Sequence, residues 1–117
     1  MIKTVKINDK DVRMSTAFSW MLKYSEQFHE DPAKVIIPAM LSSQGEDAVG
    51  GFLASIGFIG TIRIAWSCAA IVDDSIGTPE QWLESFGEEF PVMSVAMQIM
   101  PEIFRSMNSK KKAQMSE

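Results

Sequence analysis

The chain is poor in the residues that carry covalent and metal chemistry: it has one cysteine, Cys68, one histidine, His29, and one tyrosine, Tyr24. A single thiol excludes an internal disulfide and suits a reducing compartment. His29 and Cys68 make no nucleophile and base pair by sequence logic, and a lone histidine near a helix end reads as a capping or surface residue. The acidic pairs Asp73-Asp74 and Glu88-Glu89 have no histidine or third ligand at helical spacing, so they read as solvated carboxylates rather than cation ligands. Gly50, Gly51, Gly57 and Gly60 follow no strand and precede no Lys-Ser/Thr pair, which excludes a phosphate loop. No enzymatic activity, cofactor or metal is expected.

Positive charge is also scarce where it would matter. From Glu46 to Glu102 nine acidic residues face one base, Arg63, while the chain as a whole carries a net charge of −4. A polyanion is repelled by such a stretch. The basic residues sit at the ends, Lys3, Lys6, Lys10 and Arg13, then Arg105 and Lys110 to Lys112, and Asp9 and Asp11 offset the first group, so nucleic acid is not an expected partner. The opening residues show no basic stretch followed by an apolar core, so no secretory signal is expected and the cytoplasm is the expected compartment.

What is present is apolar surface. With 117 residues, 46% hydrophobic and 22% charged, the chain suits one globular domain with a single core. Ile2 to Ile7 alternates with β-branched residues at four of six positions, Asn8-Asp9-Lys10 is a turn cluster, and Val12 to Met14 returns as a second strand. Ser15 or Thr16 offers an N-cap to a helix with Ala17, Trp20, Met21, Tyr24 and Phe28 on one face. Asp31-Pro32 ends that helix and opens another, which Pro38 keeps short or kinked up to about Leu41. Ser42 to Asp47 reads as a linker.

Ala48 to Val72 is long and apolar enough to cross a membrane by the rule of about 20 residues. Arg63 deep inside it, and acidic pairs at both ends without a basic anchor, favour a buried helix or helix pair instead, with a break near Gly57 to Gly60. Gly77 then stops one element. Thr78, Pro79 and Gln81 form a capping box for a helix with Trp82, Leu83, Phe86 and Phe90 on one face and Glu84, Glu88 and Glu89 left to solvent. After Pro91 the last helix, Val92 to about Met107, carries two stripes: Val92, Val95, Ala96, Ile99 and Ile103, beside Met93, Met97, Met100, Phe104 and Met107. Pro101 interrupts it, and residues 108–117 read as a flexible polar tail. The expected fold is mainly α with a small N-terminal β-hairpin (α+β), a compact helical bundle over residues 1–107 with the hairpin at 2–14.

The order of these pieces resembles the tail assembly chaperones of long-tailed bacteriophages and prophages. That family tends to begin with a hairpin, then a helix with a Tyr, a Phe four residues on and an Asp shortly after, here Tyr24, Phe28 and Asp31. An alanine-rich helix, an acidic junction, a Pro-containing cap and a Trp-Leu-acid-x-Phe helix follow, here Ala65 to Ala70, Asp73-Asp74, Thr78-Pro79 and Trp82 to Phe86, and the last helix holds an internal proline, Pro101. The likeness covers roughly residues 2–41 and 62–107. The glycine usual after the Phe is His29 here, the basic residues often found around the Tyr are reduced to Lys23, and Val49 to Gly60 is more apolar than the pattern.

The resemblance implies a non-virion factor in the bacterial host cytoplasm that binds the tape measure protein, keeps it soluble and helps recruit tail tube protein. A methionine stripe on a helix more often belongs to a core; the functional reading takes Met93, Met97, Met100 and Met107 as the expected partner-binding stripe, since methionine suits surfaces that accept varied apolar helices, with Glu84, Glu88 and Glu89 attracting basic segments at its rim. A homo-oligomer is compatible with the same surface. Two other readings stand beside it: a small helical interaction or regulatory subunit of another complex, and a small membrane-associated protein using residues 48–72.

Overall fold

The computed structural model describes the backbone of residues 2–42 and 48–115, and side chains over 2–41 and 50–106. It is mainly helical with an N-terminal antiparallel hairpin, the expected fold class. The hairpin is β1 (Ile2–Ile7) and β2 (Lys10–Ser15). β1 has the expected bounds, whereas β2 is longer than the expected Val12 to Met14, because only Asn8 and Asp9 form the turn. Ile7 pairs directly with Lys10. Asn8 takes φ 57, a left-handed conformation that asparagine tolerates better than most side chains.

Pairing across a two-residue turn fixes the hydrogen-bond alternation. Ile7 and Lys10 exchange both main-chain bonds, so Lys6 and Thr4 on β1, and Asp11 and Arg13 on β2, turn their N–H and C=O groups away from the ladder. On the β1 side a side chain meets them: Lys6 N–H donates to Gln98 Oε1 at 2.9 Å, and Gln98 Nε2 donates to Lys6 C=O at 2.9 Å. The Gln98 amide stands in for a third strand.

The next element, α1 (Ser19–Phe28), starts later than the Ser15 or Thr16 caps predicted. Ser15 Oγ does accept an N–H, but that of Ala17 at 3.2 Å in the bend after β2, and Thr16 Oγ1 lies 3.4 Å from Ser106 Oγ. Phe18 occupies the N-cap without a side-chain bond, and Ala17 is exposed. The rest of the expected face holds, with Trp20 and Tyr24 buried and Met21 and Phe28 packed at the core's edge. Asp31 Oδ1 accepts from Ala33 N–H at 2.9 Å and Pro32 C=O accepts from Ile36 N–H at 2.9 Å, which opens α2 (Ala33–Ser42). Pro38 lies inside this helix on its exposed side. Residues 43–47, most of the expected linker, lie outside the described residues.

Central to the fold is α3 (Ala48–Ala70), which touches β2, α1, α2 and the two elements that follow. It is two helices joined at Gly57, where φ 76 and ψ 174 break the helical run. That region of backbone space is essentially open to glycine alone. The break falls within the expected Gly57 to Gly60 window and leaves neither half long enough to span a bilayer alone. A short 3-10 turn, Asp74–Ile76, leads into α4 (Pro79–Glu84), and α5 (Val92–Met115) closes the chain.

Two boundaries differ from expectation. α4 ends at Glu84, so Phe86 and Phe90 sit in the connection to α5 rather than on the helix; Gly87, at φ 87, turns the chain there. α5 continues through Pro101 and past Met107 to Met115, where a polar tail was expected. One continuous core results, drawing Val5, Ile7 and Met14 from the hairpin, Trp20 and Tyr24 from α1, Ile36 from α2, Phe52 and Ile64 to Ala70 from α3, and Val95, Ala96, Ile99, Met100 and Ile103 from α5.

Candidate functional site

The residues that carry the family resemblance build two aromatic anchors. In the first, Trp20, Tyr24, Phe28 and Trp66 meet edge to face in sequence, with centroids 6.2, 4.9 and 5.8 Å apart, a favourable arrangement of ring quadrupoles. Lys23 and Arg63 lie over the last two rings, Lys23 Nζ 5.9 Å from Trp66 and the Arg63 guanidinium 4.9 Å from Phe28. The Tyr24 hydroxyl points to Glu30 Oε1 at 3.5 Å, and Arg63 reaches the same carboxylate at 3.9 Å. Burial first, then the Glu30 charge, push the Tyr24 hydroxyl above its ordinary pKa. His29 caps α1 with φ 56 and ψ 40, the left-handed conformation that glycine adopts at no steric cost.

The second anchor is the capped helix. Thr78 Oγ1 accepts from Gln81 N–H at 3.2 Å and Gln81 Oε1 accepts from Thr78 N–H at 3.0 Å, the reciprocal box expected from the sequence. Trp82 is 3% exposed and packs on Phe86 and Phe90 at 5.2 and 5.5 Å. The hairpin turn bolts onto this unit: Asn8 Nδ2 donates to Glu89 C=O at 2.9 Å and Lys10 Nζ to Ser85 C=O at 2.7 Å. Trp66 Nε1 donates to Gly77 C=O at 3.1 Å and ties the two anchors together.

Outside these anchors lies an apolar surface. Beside the break in α3, a groove of about 420 Å³ is lined by Gly50, Leu53, Ala54, Gly57, Phe58 and Met93. Phe58 is 58% exposed, Met93 54% and Met97, one turn further along α5, 57%. Side chains of this size left outside a core mark contact surface when they gather, and here Phe58 and Met93 share a wall.

The expected methionine stripe is therefore divided. Met93 and Met97 face solvent, whereas Met100 is fully buried between Ile99 and Ile103 and belongs to the core. The physical reason is that Met100 turns into the core shared by Val95, Ala96, Ile99 and Ile103, where α5 meets α3 and β1. The Met107 side chain lies outside the described residues. Glu84, Glu88 and Glu89 are exposed at the end of α4 and in the turn before α5, as expected. Phe58 and Ile59 escaped the sequence reading, which took the whole apolar segment as buried. The signal was Gly57, since a break there rotates the residues that follow it out of the packed face.

Cys68 is buried, and burial pushes its thiol far above the ordinary range. Among the described residues no three His, Cys, Asp or Glu side chains gather. By length and composition Gly50–Ala70 passes as a membrane span, with 56% of its most apolar window buried inside the protein. No protein-family model, curated protein or solved structure matches the chain.

Proposed function

We propose that the chain is a tail assembly chaperone of a long-tailed bacteriophage or prophage. In this reading it acts in the host cytoplasm, without catalysis and outside the finished virion. It binds the tape measure protein, keeps it soluble and helps recruit tail tube subunits. The observation that carries the reading is the exposed groove of Phe58, Leu53 and Met93 with Met97 beside it. A chaperone for a long helical client needs apolar surface that is tolerable when empty, and methionine's flexible thioether fits such a surface to many helix faces.

Co-expression with a tape measure protein tests the reading. Met93→Glu with Met97→Glu adds charge where both side chains already face solvent, so the double variant folds with an unchanged helical spectrum. It is expected to lose co-purification with the client. A folded double variant that still retains the client moves the binding surface elsewhere, and a wild-type chain that never co-purifies with a tape measure protein removes the assignment.

A further inference from the structure

The sulfur atoms of the chain are divided between core and surface. Cys68, the one thiol, is fully enclosed, and burial holds it in the protonated form that peroxides attack slowly. Met14 and Met100 are fully enclosed as well, and Met21 and Met40 pack against the core. Met93 and Met97 differ from all of these: they are 54% and 57% exposed, and neither belongs to the core nor packs against it. Among the described residues they are the accessible sulfurs. They stand four positions apart on α5 and so share one face of the helix. Met93 also lines the groove beside the break in α3, where the other lining residues, Gly50, Leu53, Ala54, Gly57 and Phe58, have no polar side-chain atom.

We infer that Met93 and Met97 are a reversible oxidation site for hydrogen peroxide, at which sulfoxide formation switches off the apolar surface they share with Phe58. The thioether sulfur gives an electron pair to one peroxide oxygen and the O–O bond breaks as the S–O bond forms. The proton on the oxygen that is kept moves to the oxygen that leaves, which departs as water. Sulfur is oxidised and peroxide is reduced, and a methionine sulfoxide reductase with a thiol reductant reverses the step. The fold does not depend on either sulfur, because both side chains lie off the core. The surface does. A sulfoxide oxygen is a strong acceptor that water satisfies, but an apolar partner entering the groove strips that water, and the lining side chains offer no donor in return. Met93 places this effect inside the groove and Met97 extends it one turn along α5. The inference rests on the reading of this surface as the client's, and adds the chemistry that turns it off.

The test treats the full chain with dilute hydrogen peroxide and follows it by peptide mass spectrometry, circular dichroism and the fluorescence of Nile red, a neutral dye that brightens in apolar sites. Met93 and Met97 are each expected to gain one oxygen before Met14 or Met100 gains any, with an unchanged helical spectrum. Dye affinity is expected to fall by about tenfold or more, the effect of one acceptor desolvated without a donor. Methionine sulfoxide reductases for both sulfoxide epimers, with dithiothreitol, are expected to restore it. Met93→Leu with Met97→Leu removes both sulfurs, and peroxide is expected to leave that variant's dye affinity, whatever its value, where it was. Oxidation of Met14 or Met100 at the same rate, loss of helix, a reduced chain that binds no dye, or undiminished dye binding by the oxidised chain overturns the inference. A peroxide effect that persists in the leucine variant does the same. Co-purification with the tape measure protein separates the two readings. A client held equally by reduced and oxidised chain overturns the switch and leaves the chaperone, whereas a client never held, with dye binding that peroxide removes, withdraws the chaperone and leaves the switch.

Discussion

His29 holds the C-cap of α1 in a left-handed conformation that costs a side-chain-bearing residue on the order of 1 kcal/mol. His29→Gly is therefore expected to raise the unfolding free energy by about 1 kcal/mol, somewhat less if the unfolded chain gains freedom, as read from the urea midpoint. Cys68 and Tyr24 make a second statement at this scale. Both are held above their ordinary values of 9.0 and 10.0, Cys68 by burial and Tyr24 by burial and then Glu30. The folded chain thus keeps protons that the unfolded chain releases. Their contribution is fully present below pH 9 and falls as pH rises, for Cys68 with a limiting slope of about 1.4 kcal/mol per pH unit. Chemical denaturation at pH 8 and pH 10.5 should show the loss, and Cys68→Ala should shrink it. A thiol reagent at pH 8 should label Cys68 only as fast as the protein opens. Trp82, buried at the meeting of α4, Phe86 and Phe90, is expected to cost roughly 3 to 5 kcal/mol when replaced by alanine. All three aromatic anchors of the resemblance, Tyr24, Phe28 and Trp82, could be placed from helical spacing. Their partners could not, since Trp66 reaches Phe28 across the chain.

Among the elements, two glycines set the course of the backbone. Gly57 and Gly77 have φ 76 with ψ 174 and φ 83 with ψ −162, both in the region reserved for glycine. A Cβ at Gly57 meets no neighbour, so Gly57→Ala carries backbone strain alone, about 1 to 3 kcal/mol. At Gly77 a Cβ also runs into Gln81 Oε1, the acceptor of the capping box. Gly77→Ala should therefore cost more than Gly57→Ala, and thermal unfolding of the two variants side by side checks the order. Capping and turn chemistry made these elements readable: Thr78, Pro79 and Gln81 specify a helix start by hydrogen-bond geometry within four residues. The start of α1 was not readable in the same way. Ser15 is drawn into the strand by its pairing with Ile2, and Thr16 is drawn towards Ser106, so the hydroxyls that would cap the helix are used elsewhere.

For the molecule as a whole, the question is how a chain of this size keeps large side chains outside its core. α3 is contacted by α1, α2, α4, α5 and β2. Phe58, Ile59, Met93 and Met97 are left over at the break. Met93→Glu with Met97→Glu should leave the unfolding midpoint within about 0.5 kcal/mol of wild type, since neither side chain is buried. Met100→Glu should unfold the chain, because it puts a charge into a fully enclosed position. Circular dichroism and size-exclusion elution of the two variants separate surface from core along one helix.

Local chemistry determined what the sequence could determine alone: a hairpin turn within Asn8-Asp9-Lys10, the capping box, and a break between Gly57 and Gly60. These depend on neighbours within a few residues, which periodicity and propensity report. Which methionines belong to the core, that Gln98 closes one strand edge, and that Phe58 meets Met93 across a groove were decided by tertiary packing. Each depends on residues far apart in the chain arriving at one place, and a helical repeat records only that a face is apolar, not what comes to cover it.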